Sequence, residues 1–218
     1  MANIFKPARY LPKGEIESLA EKLLQKMKTD SRHCPRWPLD PTRVAEFLGL
    51  DTDIIPLPSE GNEIVAAMLC PIEHKIVINE NNSNSRKGFE ESSIAHEMGH
   101  WLLHVNRKEA AKYREIQNKG LATSKFPPLH RIYGSKNIKQ IEWQAQYFAG
   151  CLLMPRFKLE EVKKGRDLTK WKHLYAIADE LGVTISNLTY RLQQDLGWIH
   201  IPKGSKQIYI GKSKANSS

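Results

Sequence analysis

His96-Glu97-Met98-Gly99-His100 is the stretch from which the rest of this chain can be read. On a helix, residues four apart share a face, so the two imidazoles lie about 6 Å apart along the axis. At that separation both rings can bind one Zn²⁺ through nitrogen. The glutamate between them then stands beside the attacking water as a general base. The pattern names a reaction class, in which zinc-activated water attacks a carbonyl, most often a peptide carbonyl.

The flanking residues favour a helix. Ile94, Ala95, Met98, Trp101, Leu102 and Val105 supply apolar side chains at helical spacings, and Ser92 or Ser93 is the expected N-cap. Gly99 costs a helix interior roughly 1 kcal/mol relative to alanine. A glycine there implies an element packed tightly against that turn. The competing reading, two surface histidines on an amphipathic helix, is disfavoured by this context.

A catalytic zinc site takes three protein ligands and leaves one position open. His104 shares the face of His96 and His100 but lies about 12 Å from His96 along the axis, too far to join both on one ion. Its expected place is beside the site or in helix-end packing. Position 106 is Asn, so the glycine turn and distant third histidine of the metzincins are missing. A second helix is expected from about Ile138 to Leu153, with Asn137 and Gln140 as a capping box and a stop before Met154-Pro155. Its buried stripe is Ile141, Ala145, Phe148 and Leu152. Glu142 stands at the edge of that stripe, and Ala145 and Ala149 are small enough to let two helices approach. Glu142 is therefore a candidate third ligand. The residues alone equally allow an exposed first-turn acid favoured by the helix dipole. Gln144 is a poor zinc ligand because its oxygen is uncharged.

Further out, Glu15–Lys28 is expected as an amphipathic helix and Cys34–Pro41 as a proline-broken loop. Asp40-Pro41 opens a short helix that closes at Gly49. Ile54–Leu57 is a possible strand. Glu63–Cys70 and Lys75–Asn79 are expected as two strands joined at Pro71–His74. Lys108–Asn118 has helical propensity, and Leu121–His130 is expected as a surface loop. Leu168–Leu196 divides into two or three short helices, and Gln207–Ile210 is a possible last strand.

The 218 residues suit one medium domain, with 40% hydrophobic and 26% charged residues. No apolar run approaches the ~20 residues that span a bilayer, and Met1–Lys13 has no signal-peptide core. A cytoplasmic protein is expected, without membrane association. Cys34, Cys70 and Cys151 are odd in number and far apart, which suits reduced thiols. The net charge is +9, from 33 Lys+Arg against 24 Asp+Glu. It favours an anionic partner, or equally a solvated surface with a basic tail.

Two signatures resemble a known family. Ser93-Ile-Ala-His-Glu-Met-Gly-His-Trp-Leu-Leu-His104 resembles the "AHELGHxLLH" core of the ImmA/IrrE-type metallopeptidases. Glu142-Trp-Gln-Ala-Gln-Tyr-Phe-Ala-Gly-Cys-Leu-Leu-Met-Pro155 resembles their second signature, a glutamate followed by "xEANxFAxxLLMP". The resemblance spans roughly residues 15 to 200. It implies an α+β, zincin-like fold, mostly helical with a small antiparallel sheet. It also implies one Zn²⁺ held by His96, His100 and Glu142, with Glu97 as general base. The expected organisation is an N-terminal extension over 1–14, a catalytic domain over 15–155, a helical C-terminal segment over 156–205 packed on it, and a basic tail over 206–218. Gln144 replaces the family's second acid and Gln146 its usual Asn or Asp, which alters the residues that orient the site. Arg107–Gly134 is expected as an insertion covering the cleft. A second oxyanion donor is required, with Tyr147, His130 and Tyr133 as weak candidates.

Leu174–Leu192 has the helix, Gly182-centred turn and second helix of a helix-turn-helix, with Thr184 or Ser186 as N-cap. Similar segments close the catalytic domain of the resembling family, so a structural or substrate-docking part is favoured over DNA contact. By the resemblance, the expected function is a zinc endopeptidase. Its protein substrate is expected to be a helix-turn-helix transcriptional repressor, whose cleavage relieves repression in phage, mobile-element or stress control. The alternative is a non-catalytic regulator or toxin–antitoxin component that acts by binding protein or DNA.

Overall fold

A computed structural model describes residues 4–57, 65–82, 88–119 and 130–211. The fold is mostly helical with a small sheet, the α+β class expected. The helices are α1 (Lys13–Lys28), α2 (Pro41–Phe47), α3 (Phe89–Leu103), α4 (Arg107–Asn118), α5 (His130–Leu153), α6 (Arg156–Val162), α7 (Trp171–Leu181) and α8 (Ile185–Tyr190). The strands are β1 (Asp51–Ile55), β2 (Ala67–Cys70), β3 (Lys75–Asn79), β4 (Ile199–His200) and β5 (Tyr209–Ile210).

The first three strands form one sheet in the order β1-β3-β2. β2 pairs antiparallel with β3, setting Leu69 opposite Ile76, as a hairpin through Pro71–His74 requires. β1 pairs parallel with β3, setting Ile54 opposite Ile78, so the sheet is mixed rather than purely antiparallel. β3 is central, and Ile76, Val77 and Ile78 are all buried. β4 and β5 form a separate short antiparallel pair.

α3 lies in the middle of the molecule. It packs on β2 and β3 on one side, on α2, and most extensively along α5. α5 in turn packs on α1 through the buried stripe Ile16, Ala20, Leu23, Leu24 and Met27. The stripe expected on α5 is realised: Ile141, Ala145, Phe148 and Leu152 are all buried.

α3 does not begin at Ser92 or Ser93. It begins at Phe89, with Gly88 as N-cap at φ +89. A Cβ at Gly88 would stand 2.8 Å from the Thr184 nitrogen, so the chain can pass there only as glycine, wedged under the turn before α8. Both serines are inside the helix, where the Ser93 hydroxyl donates to the Phe89 carbonyl. α5 likewise begins at His130, eight residues before the expected start, so Asn137 and Gln140 are not its capping box. Its end at Leu153 agrees with the stop set by Met154-Pro155.

Residues near the N-terminus close the far end of α3. Phe5 bridges to Val105, and the Lys6 ammonium donates to the Leu102 and Leu103 carbonyls, satisfying the orphan acceptors of the last turn. Among the described residues, no helix is long and apolar enough to cross a membrane.

Candidate metal centre

α3 and α5 meet at two glycine- and alanine-bearing turns. A Cβ on Gly99 would lie 2.9 Å from both Cα and O of Ala145, which is no room for a methyl group. This contact explains the glycine in the middle of the motif. It brings the α5 backbone close enough for one turn of α5 to reach the histidines of α3.

Glu142 does so. One of its carboxylate oxygens is 3.0 Å from Nε2 of His96 and the other 3.5 Å from Nε2 of His100. The two Nε2 atoms are themselves 2.9 Å apart. Among the described residues, these three are the group of His, Cys, Asp and Glu side chains whose donor atoms all lie within 4.8 Å of one another. His100 is buried, while His96 and Glu142 are partly exposed. Two imidazole nitrogens and one carboxylate oxygen, converging from two helices with a solvent-facing side, are a donor set that fits Zn²⁺. A first-turn acid is excluded as a description of Glu142, because α5 starts twelve residues earlier and the carboxylate meets the His96 and His100 rings.

The electrostatics follow the geometry. Burial alone would raise the Glu142 carboxyl, but the His100 and His96 rings beside it outweigh burial and hold the group well below the usual carboxylate range. For His96, burial opposes protonation, yet Glu142 and Glu97 together raise the imidazole above its ordinary value. Glu97 faces a cleft beside His96. Burial raises its carboxyl, opposed by the two histidines, and the Leu69 N–H of β2 donates to it. A carboxylate raised in this way is a better proton acceptor than one in water.

His104 does not reach the centre, as its rise along α3 requires. Its Nδ1 lies 3.0 Å from Nδ1 of His100, and its Nε2 lies 2.9 Å from Oε1 of Gln144. Gln146 approaches the other imidazole, with Oε1 3.3 Å from Nδ1 of His96. Tyr147, considered as an oxyanion donor, turns the other way. Five residues on from Glu142 it points about 140° round the helix. There it stacks on Trp143, with Lys13 and Arg191 over its ring. The side chains of His130 and Tyr133 lie outside the described residues, as does most of the segment after α4.

The cleft beside His96 and Glu97 measures about 400 Å³. Ala66 and Ala67 form one wall beside β2, and Phe89, Thr184 and Asn187 another. Asn187 is held by Thr184, whose hydroxyl accepts its backbone N–H, and its amide donates to Ser92. The sequence did not mark Asn187 or Ser92 as cleft residues, because their contact joins residues 95 positions apart. The second helix of the helix-turn-helix-like segment therefore lines the cleft with its first turn. A neighbouring cavity of about 260 Å³, walled by Trp143, Tyr147, Met154 and Tyr190, shares Ser92, Gln146 and Asn187 with it.

Comparison with known proteins places the chain in a family. The family described as Peptidase_M78, IrrE N-terminal-like domain, matches residues 50–193. That span holds α3, α5 and the cleft-lining α8. No curated protein matches the chain. Among solved structures, one described as a Mycobacterium tuberculosis transcriptional regulator superposes with a TM-score of 0.50 at 14% identity. The match covers 84% of this chain but only 48% of that one, so this chain spans about half its length, and the likeness concerns the fold. With two thirds of its residues inside the match, and with both signature helices among them, the chain belongs to the Peptidase_M78 family of IrrE N-terminal-like metallopeptidase domains.

Proposed function

We propose that this chain is a zinc-dependent endopeptidase in which His96, His100 and Glu142 are the metal ligands and Glu97 is the general base. The observation that carries the reading is the convergence of three donor atoms from α3 and α5 beside a cleft into which Glu97 also faces. Zinc, when bound, supplies Lewis-acid polarisation of water and of the scissile carbonyl. Glu97 takes the proton of the attacking water and passes it to the leaving amine nitrogen. The Leu69 N–H holds the Glu97 carboxylate in place. β2 supports an extended substrate: it pairs on one side with β3, and its first residue, Ala67, lines the cleft together with the preceding Ala66. The neighbouring cavity offers room for one large substrate side chain.

For the substrate we favour a helix-turn-helix transcriptional repressor in the cytoplasm, cleaved to relieve repression. Support comes from the family resemblance and from the fold shared with a protein described as a transcriptional regulator. The catalytic part runs over 15–155, and the segment 156–205 completes it as a wall of the cleft rather than as a DNA reader. α8 supports this, since its N-cap Thr184 and first-turn Asn187 line the cleft. The test is zinc content and cleavage of a repressor encoded beside the gene, for the wild type and Glu97→Gln. The variant should keep its zinc and lose about 10²–10⁴-fold in cleavage rate. Undiminished cleavage by Glu97→Gln removes the mechanism. Zinc-independent, salt-sensitive DNA binding without cleavage would favour the non-catalytic regulator.

A further inference from the structure

His100 is the most buried ligand of the proposed centre, and a chain of three hydrogen bonds leads from it to a backbone carbonyl far away in sequence. The chain can be read from its far end, where the chemistry allows no choice. The carbonyl of Arg9 only accepts, so the nitrogen of the Gln144 amide, 2.9 Å away, must be the group that faces it. The amide oxygen of Gln144 then faces Nε2 of His104 at 2.9 Å. An amide oxygen only accepts, so His104 carries its proton on Nε2. In neutral His104, Nδ1 is then a bare acceptor. The Nδ1 of His100, 3.0 Å away, must donate to it. With its proton on Nδ1, His100 presents an unprotonated Nε2 to Glu142 and His96.

We propose that Gln144 and His104 are positioning residues that lock His100 in the Nδ1–H tautomer, so that its Nε2 lone pair is permanently aimed at the metal position. The inference rests on the reading of His100 as a ligand and deepens it. Free histidine in water prefers the proton on Nε2, which is the wrong form for a ligand that binds through that atom. A partner on the other ring nitrogen is what corrects this. Here the partner is a second histidine, itself locked by a glutamine.

The amide at position 144 is specific to this surrounding. Gln144 is fully buried, with a carbonyl on one side and an N–H on the other. An amide satisfies both at once. An ionised carboxylate would set a second acceptor against the Arg9 carbonyl and leave a buried charge without a cation. Residue 144 thus reaches the centre through two intervening groups, and its neutrality belongs to the device.

The test uses the intact protein. In the chelator-treated wild type, long-range ¹⁵N–¹H correlation of the histidine rings should show His104 protonated on Nε2 and His100 protonated on Nδ1. A His100 ring protonated on Nε2 overturns the proposal without any variant. Gln144→Leu should scramble both tautomers and weaken zinc binding about 10–100-fold in a chelator competition. Leu152→Ala, on the same helix but remote from the centre, is the control for simple destabilisation and should change zinc affinity less than twofold. Gln144→Leu with wild-type zinc affinity would also overturn the proposal. If the wild type binds no zinc, the metal reading fails, while the tautomer assignment is still decided by the correlation spectrum.

Discussion

At Gly99 the sequence and the structure meet in a single missing methyl group. The glycine is unfavourable for α3 alone, and the reason for its presence is the Ala145 backbone, 2.9 Å from where a Cβ would stand. The atoms in the way belong to main chain, so they cannot rotate aside. Gly99→Ala should therefore push α3 and α5 apart, costing about 1–3 kcal/mol despite alanine's better helix propensity. Because Glu142 rides on α5, the same variant should weaken zinc binding at least tenfold. Urea denaturation of the chelator-treated protein and a zinc competition assay measure the two effects. A variant as stable as the wild type would mean that the helices tolerate a wider spacing. This contact was legible beforehand, since a glycine inside a helix and two alanines on a facing one announce a close approach. The place of Glu142 beside the two histidines was legible only in part. From the residues it stood even with a first-turn acid, and the start of α5 at His130 removes the first-turn alternative. The partners of Gln144 were not legible at all, because Arg9 is 135 residues away and enters the contact only through a carbonyl, which accepts from the Gln144 amide. Backbone groups carry no sequence signal.

Elements were predicted best where periodicity ran uninterrupted and least well at their ends. α1, α3 and α5 follow their apolar stripes, but α3 and α5 both start earlier than local capping signals suggest. For α3, the true start is fixed by Gly88 fitting beneath the Thr184 turn, a tertiary fact. The parallel pairing of β1 with β3 was equally hidden, since strand alternation does not name a partner. The β2–β3 hairpin was foreseen through its turn, and the turn carries an unusual residue. His74 has φ +52 and packs its ring edge-on against Trp101 of α3, with centroids 5.1 Å apart. Burial lowers its imidazole below the ordinary value, Arg114 lowers it further, and Asp51 opposes both. The folded protein thus holds His74 neutral at a pH where the unfolded chain begins to protonate it. Between the unfolded value of 6.5 and the lower folded value, the unfolded state binds more protons, so stability falls as pH falls through that window. Above 6.5 the full contribution is present. His74→Asn keeps a side chain that tolerates positive φ and removes the titration. Thermal melts from pH 7 down to pH 5 should show a shallower loss for the variant than for the wild type. Parallel curves would mean that His74 is as easily protonated folded as unfolded.

Over the whole molecule, one charged residue joins parts that the sequence reads as separate. Arg191 begins the π-helical turn Arg191–Asp195 that follows α8, and its side chain is 1% exposed. Its Nη2 donates to Glu17 of α1 at 2.6 Å, its Nε to the Met154 carbonyl at the end of α5 at 3.4 Å, and its Nη1 faces Asp195 at 3.6 Å. The guanidinium lies over the Tyr147 ring, 5.5 Å from its centroid. A reading of net charge counts Arg191 towards a basic, nucleic-acid-binding surface. The fold spends it inside, holding the C-terminal segment to α1 and to α5, the helix that carries Glu142. Arg191→Leu would leave Glu17 and Asp195 facing a buried apolar group. Arg156 at 3.8 Å from Glu17 and Lys13 at 3.0 Å from Asp195 would offset part of the loss. A destabilisation of about 3 kcal/mol is expected, at the low end of the cost of breaking a buried ion pair. Glu17→Gln should be nearly silent in the Arg191→Leu background and costly in the wild type, giving a coupling of about 1 kcal/mol or more in a double-mutant cycle. Zinc affinity should change little, since neither ligand-bearing helix depends on Arg191 for its contact with the other. Substrate cleavage should fall further than stability alone explains, because α8 would lose its hold on the cleft wall formed by Asn187. Urea titrations of the four proteins of the cycle, with zinc competition on each, measure all of these. If Arg191→Leu lies within 1 kcal/mol of wild type, the C-terminal segment is held by its apolar contacts alone and the buried charge has another purpose.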